Sequence, residues 1–306
     1  MFLEMTDILQ TESIEEQLRQ FKILISEANT VRDNDKVLIK GIFRNFYNRT
    51  IDVGIGFQRA YGSILSGDYF DLIQLPDLNY LFVFVDISGH GLPAYTTLVR
   101  LRSAITICVN ESKKMKSTKE FIPNDLVYKI IDTFTDIMDA SNSNDFASIN
   151  FVFIYNENNR YLLRFFNRSM LFPIVIRKTK DASLDIINLN FENSNWLPRN
   201  GHLLGSDFRA ILGDEYYKTP VCEFQLHEDD SILFYSDGII EAYREEEGMS
   251  EEYDHNRIEN ILKDTVSLPP QLVINTLFES VYDFIGNPKR QRDDMTAVLI
   301  DFPSFY

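Results

Sequence analysis

Cysteine is nearly absent from this chain of 306 residues: Cys108 and Cys222 stand far apart, too few for a disulfide framework or a four-ligand Cys/His zinc site. A reducing compartment suits such a chain. Basic residues are also short, with 30 Lys and Arg against 46 Asp and Glu and a net charge of −16. That deficit excludes a general nucleic-acid binder, which needs a basic stripe to release counterions, and it discourages docking on anionic lipid. Long hydrophobic runs are missing too. No stretch reaches the length of a membrane span, and residues 1–10 contain Glu4 and Asp7 but neither a basic leader nor a continuous apolar run. The expectation is a soluble, cytoplasmic protein with no nucleic-acid and no membrane partner, in which the Asn-x-Ser/Thr triplets at Asn48 and Asn167 are chance matches.

What is present is the composition of an ordinary globular protein, 44% hydrophobic and 25% charged, long enough for one large domain or two small ones. Residues 13–48 carry two helical patterns. Ser13 and Glu16 form a capping box, followed at helical spacing by Ile14, Leu18, Phe21, Ile25 and Ala28. After the polar break Arg32-Asp33-Asn34, Leu38, Ile42 and Phe46 form a second stripe with Ile39 and Phe43 beside it. Such stripes must be buried, either as an extra layer on the remainder of the chain or as a dimerising or regulator-docking element. The chain is accordingly expected to divide into an N-terminal helical segment, 1–50, and a domain spanning 51–306.

From Ile51 onward the periodicity changes. Short β-branched and aromatic runs at 81–85, 149–155, 161–166, 171–176, 186–191, 231–235 and 295–300 read as strands. Three helical patterns interrupt them. Pro93 sits at an N1 position before Ala94, Leu98, Leu101 and Ile105; Pro123 precedes Leu126, Ile130, Phe134 and Ile137; Pro269-Pro270 precedes Val273, Leu277, Val281 and Phe284. Runs of strands separated by a few long helices predict an α+β fold with antiparallel sheets packed between helices. Residues 241–254 are strongly acidic and read as a solvated flap.

The chemistry lies in where aspartates punctuate these strands. Asp68 stands in Ser66-Gly67-Asp68-Tyr69-Phe70-Asp71, Asp86 ends the apolar run at 81–85, Asp237 follows the strand at 231–235, and Asp293-Asp294 immediately precede Met295. A carboxylate abutting an apolar strand is costly unless it is solvated, paired or metal-bound. Singly, each reads as a turn former or N-cap; four in one chain weaken that reading. If the strand ends converge, a divalent cation is the usual way to keep several carboxylates ionised, and all-oxygen ligands favour magnesium, manganese or calcium over zinc. Gly89 and Gly91 lead into the helix after Pro93, an arrangement that suits a phosphate-facing loop, whereas Gly54-x-Gly56 lacks the third glycine of a dinucleotide fingerprint.

In order and spacing, Gly67-Asp68-Tyr69-Phe70-Asp71, Asp86-Ile87-Ser88-Gly89-His90-Gly91-Leu92-Pro93-Ala94, Tyr235-Ser236-Asp237-Gly238-Ile239-Ile240-Glu241-Ala242 and Asp293-Asp294-Met295-Thr296 resemble the SpoIIE-like branch of the PPM, type 2C-like, metal-dependent serine/threonine protein phosphatases. The resemblance covers residues 51–302. It implies a β-sandwich of two antiparallel sheets flanked by helices, with two divalent cations, manganese or magnesium, at one end. Carried over, Asp86 bridges both ions, the Ile87 carbonyl binds the first, Asp237 and Asp293 bind the second, and Asp68 completes the first site directly or through water. A metal-bridging water then attacks phosphoserine or phosphothreonine. The implied substrate is a phosphorylated STAS-type anti-anti-sigma regulator in a partner-switching pathway.

Two positions depart from the pattern. Ser66 replaces the first glycine of Gly-Gly-Asp, and Asn167-Arg168-Ser169-Met170 stands where an Asn-Ala-Gly-His-type turn belongs. For His90 two readings stay open, a proton donor to the leaving serine oxygen or a histidine that packs its loop. His202, His227 and His255 show no ligand spacing and are expected at the surface. Two other functions remain: a non-catalytic binding module that keeps the fold, which loss of a ligand would favour, and a small-molecule phosphatase, because loops rather than the metal site choose the substrate.

Overall fold

The computed structural model describes residues 51–75, 79–115, 123–157, 160–178, 184–190, 200–227, 230–246, 249–265 and 267–302; the helices expected within 13–48 lie outside them. Two five-stranded antiparallel sheets form its centre. One runs β1 (Asp52–Gln58), β12 (Met295–Asp301), β9 (Ser231–Tyr235), β6 (Ile174–Lys178), β7 (Leu184–Asn188). The other runs β2 (Tyr69–Gln74), β3 (Tyr80–Ile87), β4 (Ala147–Glu157), β5 (Arg160–Arg168), β8 (Val221–Gln225). The helices are α1 (Gly91–Met115), α2 (Pro123–Ala140), the short α3 (Ser206–Leu212) and α4 (Asp237–Ile240), α5 (Asp254–Thr265) and α6 (Pro270–Ile285). No helix among the described residues is long and apolar enough to cross a membrane.

Strand β3 shows why the central strands read as unbroken apolar runs: both of its faces are covered. Leu81, Val83, Val85 and Ile87 join Leu98, Leu101 and Ile105 of α1 and Ile130 and Phe134 of α2 in one core. Phe82 and Phe84 point the other way and meet Phe234 of β9, with ring centroids 4.6 and 6.1 Å apart, so they tie the two sheets together. Each such fully buried side chain contributes on the order of 1.5–3 kcal/mol. On the outer face of the first sheet, Val273, Leu277 and Val281 of α6 pack against Met295, Ala297 and Leu299 of β12. The layers are therefore helix, sheet, sheet, helix.

The Gly54-x-Gly56 pair is a packing device of this last layer. A Cβ on Gly54 would stand 2.2 Å from the Pro270 carbonyl oxygen, and one on Gly56 would stand 2.3 Å from the Phe278 ring. Gln271 uses that close approach to bond both the N–H and the C=O of Ile55, at 3.2 and 3.0 Å.

The expected strands are present, with shifted limits. The run at 171–176 becomes strand only from Ile174, after Pro173, which has no N–H to donate. Helix α1 begins at Gly91, two residues before Pro93, while α2 and α6 open at Pro123 and Pro270. The acidic flap is exposed but ordered, as a hairpin of β10 (Tyr243–Glu246) and β11 (Met249–Glu252) in which Glu251 pairs with Arg244 and Arg257. Asn167 is buried in the folded chain, which closes its glycosylation triplet to modification.

Candidate active site

The loops after β1, β3 and β9 and the turn into β12 meet at one end of the sandwich. Asp68, just before β2, is buried, and its Oδ2 accepts hydrogen bonds from Ser236 Oγ at 2.8 Å and Thr296 Oγ1 at 2.7 Å. A carboxylate of the second sheet is thus gripped by hydroxyls at the strand ends of the first. Ser236 in turn accepts from the Thr296 N–H at 2.9 Å. The backbones come equally close. A Cβ on Gly67 would lie 3.0 Å from the Ile87 carbonyl oxygen, and one on Gly238 would lie 2.0 Å from the Asp294 carbonyl oxygen. Gly89 and Gly91 hold φ of 75° and 76°, turning the chain from Asp86 directly into α1.

Asp86, Asp237 and Asp293 are partly exposed and line the opening. Burial, followed by the charges of Asp68, Asp237 and Asp293 and a side-chain hydrogen bond with Asp237, pushes the Asp86 carboxyl well above the ordinary carboxylate range. Burial also raises Asp68 strongly; the charges of Asp294 and Asp237 add to this and the two hydroxyl bonds oppose it. Asp293 is pushed up to about 6, by burial first and then by Asp237 and Asp294, with the Asp294 N–H and His90 pulling the other way. Burial and the charges of Asp237, Glu252 and Asp293 raise Glu241 as well, a residue the motif reading passed over.

Burial, reinforced by like charges, favours the neutral form of these carboxyls, and an all-oxygen set suits a hard divalent cation. The side chains are gathered rather than closed: among the described residues no three Asp, Glu, His or Cys groups surround one point in coordinating geometry. Asp68 is turned toward its two hydroxyls instead.

Asp294 has a task that the doublet alone did not reveal. Only 2% exposed, it accepts the Ala60 N–H on Oδ1 and the Gly67 N–H on Oδ2, each at 2.8 Å. It clamps the loop that presents Asp68. Strand alternation was the available signal, since Asp294, directly before β12, stands two residues from the inward-facing Thr296.

His90 is exposed, its Nδ1 lies 2.9 Å from Ser63 Oγ, and its charge reaches Asp293. His202 and His227 are exposed as expected. His255 is not: it is half-buried against Tyr235, with Nδ1 2.9 Å from that hydroxyl, and burial lowers its pKa. At the divergent turn, Asn167 bonds Asn150 and the Met170 backbone. The neighbouring Arg168 is fully buried and makes its hydrogen bonds to carbonyls and to Thr219, and burial lowers its pKa to about 10.

A family model described as Stage II sporulation protein E (SpoIIE) matches residues 76–303. No curated protein matches the chain. Among solved structures, the SiaA-PP2C domain of Pseudomonas aeruginosa superposes with a TM-score of 0.64 at 16% identity, covering 94% of this chain and 98% of that one. The PP2C phosphatase domain and regulatory-domain fragment of SpoIIE from Bacillus subtilis gives 0.56 at 16% identity, covering 84% of this chain and 64% of that one. The RsbU and RsbW domains of a Mycobacterium tuberculosis protein give 0.55 at 18% identity, covering 83% and 60%. The last two matches span less than two thirds of those chains, and at such identities the likeness is one of fold. The fold and the family match, which takes in most of the sandwich and three of the four motifs, agree: the chain belongs to the SpoIIE family of PPM-type serine/threonine protein phosphatases.

Proposed function

We propose that residues 51–306 form a metal-dependent phosphatase that removes phosphate from phosphoserine or phosphothreonine in a cytoplasmic phosphoprotein, and that residues 1–50 serve regulation or dimerisation. The substrate proposed is a phosphorylated STAS-type regulator, on the resemblance of the motifs to the SpoIIE branch. The observation that carries the chemistry is the gathering of Asp68, Asp86, Asp237 and Asp293 at one end of the sandwich, where burial first and their like charges next raise Asp68, Asp86 and Asp293. Asp86, the Ile87 carbonyl and Asp68 would hold a first cation, and Asp86, Asp237 and Asp293 a second. Divalent cations of the manganese or magnesium kind, bound there, would acidify water and offset phosphoryl charge.

The chain's own residues prepare that chemistry. Asp294 clamps the loop that carries Asp68, and the Ser236–Thr296 pair holds the Asp68 Oδ2. Glycine at 67 and 238 lets the Ile87 and Asp294 carbonyls approach the neighbouring backbone.

A panel of phosphorylated STAS proteins, phosphoserine and phosphothreonine peptides and free phosphometabolites, each with manganese and with chelator, tests the reading. Phosphate release from the STAS protein should exceed that from metabolites by about tenfold or more, and chelator should abolish both. Turnover of metabolites alone would indicate a small-molecule phosphatase, and phosphoprotein binding without turnover a non-catalytic module.

A further inference from the structure

Residues 200–219 cross the end of the second sheet beside the acidic site, and they are fastened there at many points. Leu204 and Ala147 exchange both backbone hydrogen bonds, at 2.8 and 2.9 Å. The buried Arg168 donates to the Tyr216 carbonyl at 2.6 Å, to Thr219 Oγ1 at 3.0 Å and to the His202 carbonyl, and lies over the Tyr216 ring. The Tyr216 hydroxyl bonds Thr135 at 2.8 Å and accepts the Gly205 N–H at 3.1 Å. On α3, Arg209 pairs with Asp136 and Asp139 of α2.

Among the exposed His202, Asp207, Asp214, Glu215 and Lys218, this anchored platform also displays an apolar side chain. Ile211 is 80% exposed. Phe208, one turn earlier on α3, meets Phe146 edge-on with centroids 5.7 Å apart, and Phe146 is itself 37% exposed. Phe146 also adjoins the site loop: the Ser88 N–H donates to its carbonyl at 2.9 Å, and its N–H donates to Ser88 Oγ at 3.1 Å. Ser88 is two residues from Asp86. Large apolar side chains held rigidly in water at the rim of a site are suited to contact a partner, because little ordering entropy is left to lose.

The geometry points to Phe146, Phe208 and Ile211 as a docking surface for the phosphoprotein substrate, which they engage through an apolar side chain flanking its phosphorylated residue. This rests on the proposal of phosphatase activity. The occupant follows from position: a protein that presents a phosphate to Asp86 and Asp237 lies across the loop bonded to Phe146, whereas a small phosphate ester does not extend that far.

The test uses the full chain with manganese, p-nitrophenyl phosphate, and phosphoserine peptides carrying either Leu or Gly at each position flanking the phosphoserine. At one or more flanking positions the wild-type chain should favour Leu over Gly by about tenfold in kcat/KM, mostly through KM. Ile211→Ser, alone and with Phe146→Ser, should cut that preference to about twofold or less, while Ile211→Leu keeps it; thermal melts check that each variant is folded. Absence of the preference in the wild type, or its survival in the double variant, overturns the docking surface. So does a change in oligomer size on Ile211→Ser with the preference intact, which would make a second copy the occupant. No turnover of p-nitrophenyl phosphate or any peptide overturns the phosphatase reading and this inference together.

Discussion

Asp86→Asn should lower manganese-dependent phosphate release by about 10²–10³-fold or more, the range for removing one preorganised electrostatic group from a reaction centre. Asp86 is the carboxylate that feels Asp68, Asp237 and Asp293 together, and asparagine keeps its volume while removing its charge. Without metal the same substitution should act in the opposite direction on stability. The Asp86 pKa in the folded chain is raised above its unfolded value, so the folded state holds the extra proton and stability falls as pH rises between those two values. In chelator near pH 7.5 the variant should therefore melt above the wild type, by roughly 2–4 °C for each kcal/mol of repulsion relieved. The gap should close as the pH falls toward about 4, where the unfolded carboxyl is also protonated. Manganese should then raise the melting temperature of the wild type more than that of the variant. An Asp86→Asn protein with wild-type turnover would remove Asp86 from the site.

Asp294→Ala should be the most destabilising substitution near the site although its target contacts no substrate. It strands the Ala60 and Gly67 N–H groups, both bonded at 2.8 Å in a buried position. Each unsatisfied buried donor costs about 1–3 kcal/mol, so the pair approaches about 2–6 kcal/mol, against a total stability of roughly 5–15 kcal/mol for a typical domain. Asp294→Asn keeps one acceptor oxygen but turns an NH2 toward the second donor, and should fall between alanine and wild type. Turnover should drop in both variants because the loop carrying Asp68 is no longer clamped. Urea unfolding with an unchanged slope and a lowered midpoint would report this; a midpoint equal to wild type for Asp294→Ala would show that the clamp bears little of the fold.

Much of the sandwich was legible because its central strands are covered on both sides. The Phe82–Phe234 contact and the helix-side packing of Leu81, Val83 and Val85 require an unbroken apolar run, and such a run is visible in a sequence. Strand β1 was not visible, since Gly54 and Gly56, kept small by α6, dilute its β pattern. Strand β8 is short and largely exposed, with Glu223 and Gln225 breaking its apolar residues, and the β10–β11 hairpin consists mainly of glutamate and other polar residues, so neither carried the apolar signature of a strand.

The acidic cluster was legible for a related reason. Asp68, Asp86, Asp237 and Asp293 each interrupt or abut apolar sequence, and their motif order is specific. Asp294 was seen only as half of a doublet, because its role depends on two backbone N–H groups more than 200 residues away. Arg168 had no sequence signature at all: a buried guanidinium satisfied mainly by carbonyls looks like any other arginine.

The most direct measurement of the metal-dependent mechanism is the rate of phosphoserine hydrolysis by the chelator-stripped chain as manganese is added back at a series of pH values. A negligible rate without metal is expected, rising to saturation on addition. The manganese needed for half the maximal rate should increase as pH falls through about 6, where Asp293 takes up its proton and competes with the ion. A full rate in chelator, indifferent to added manganese at every pH, would contradict it.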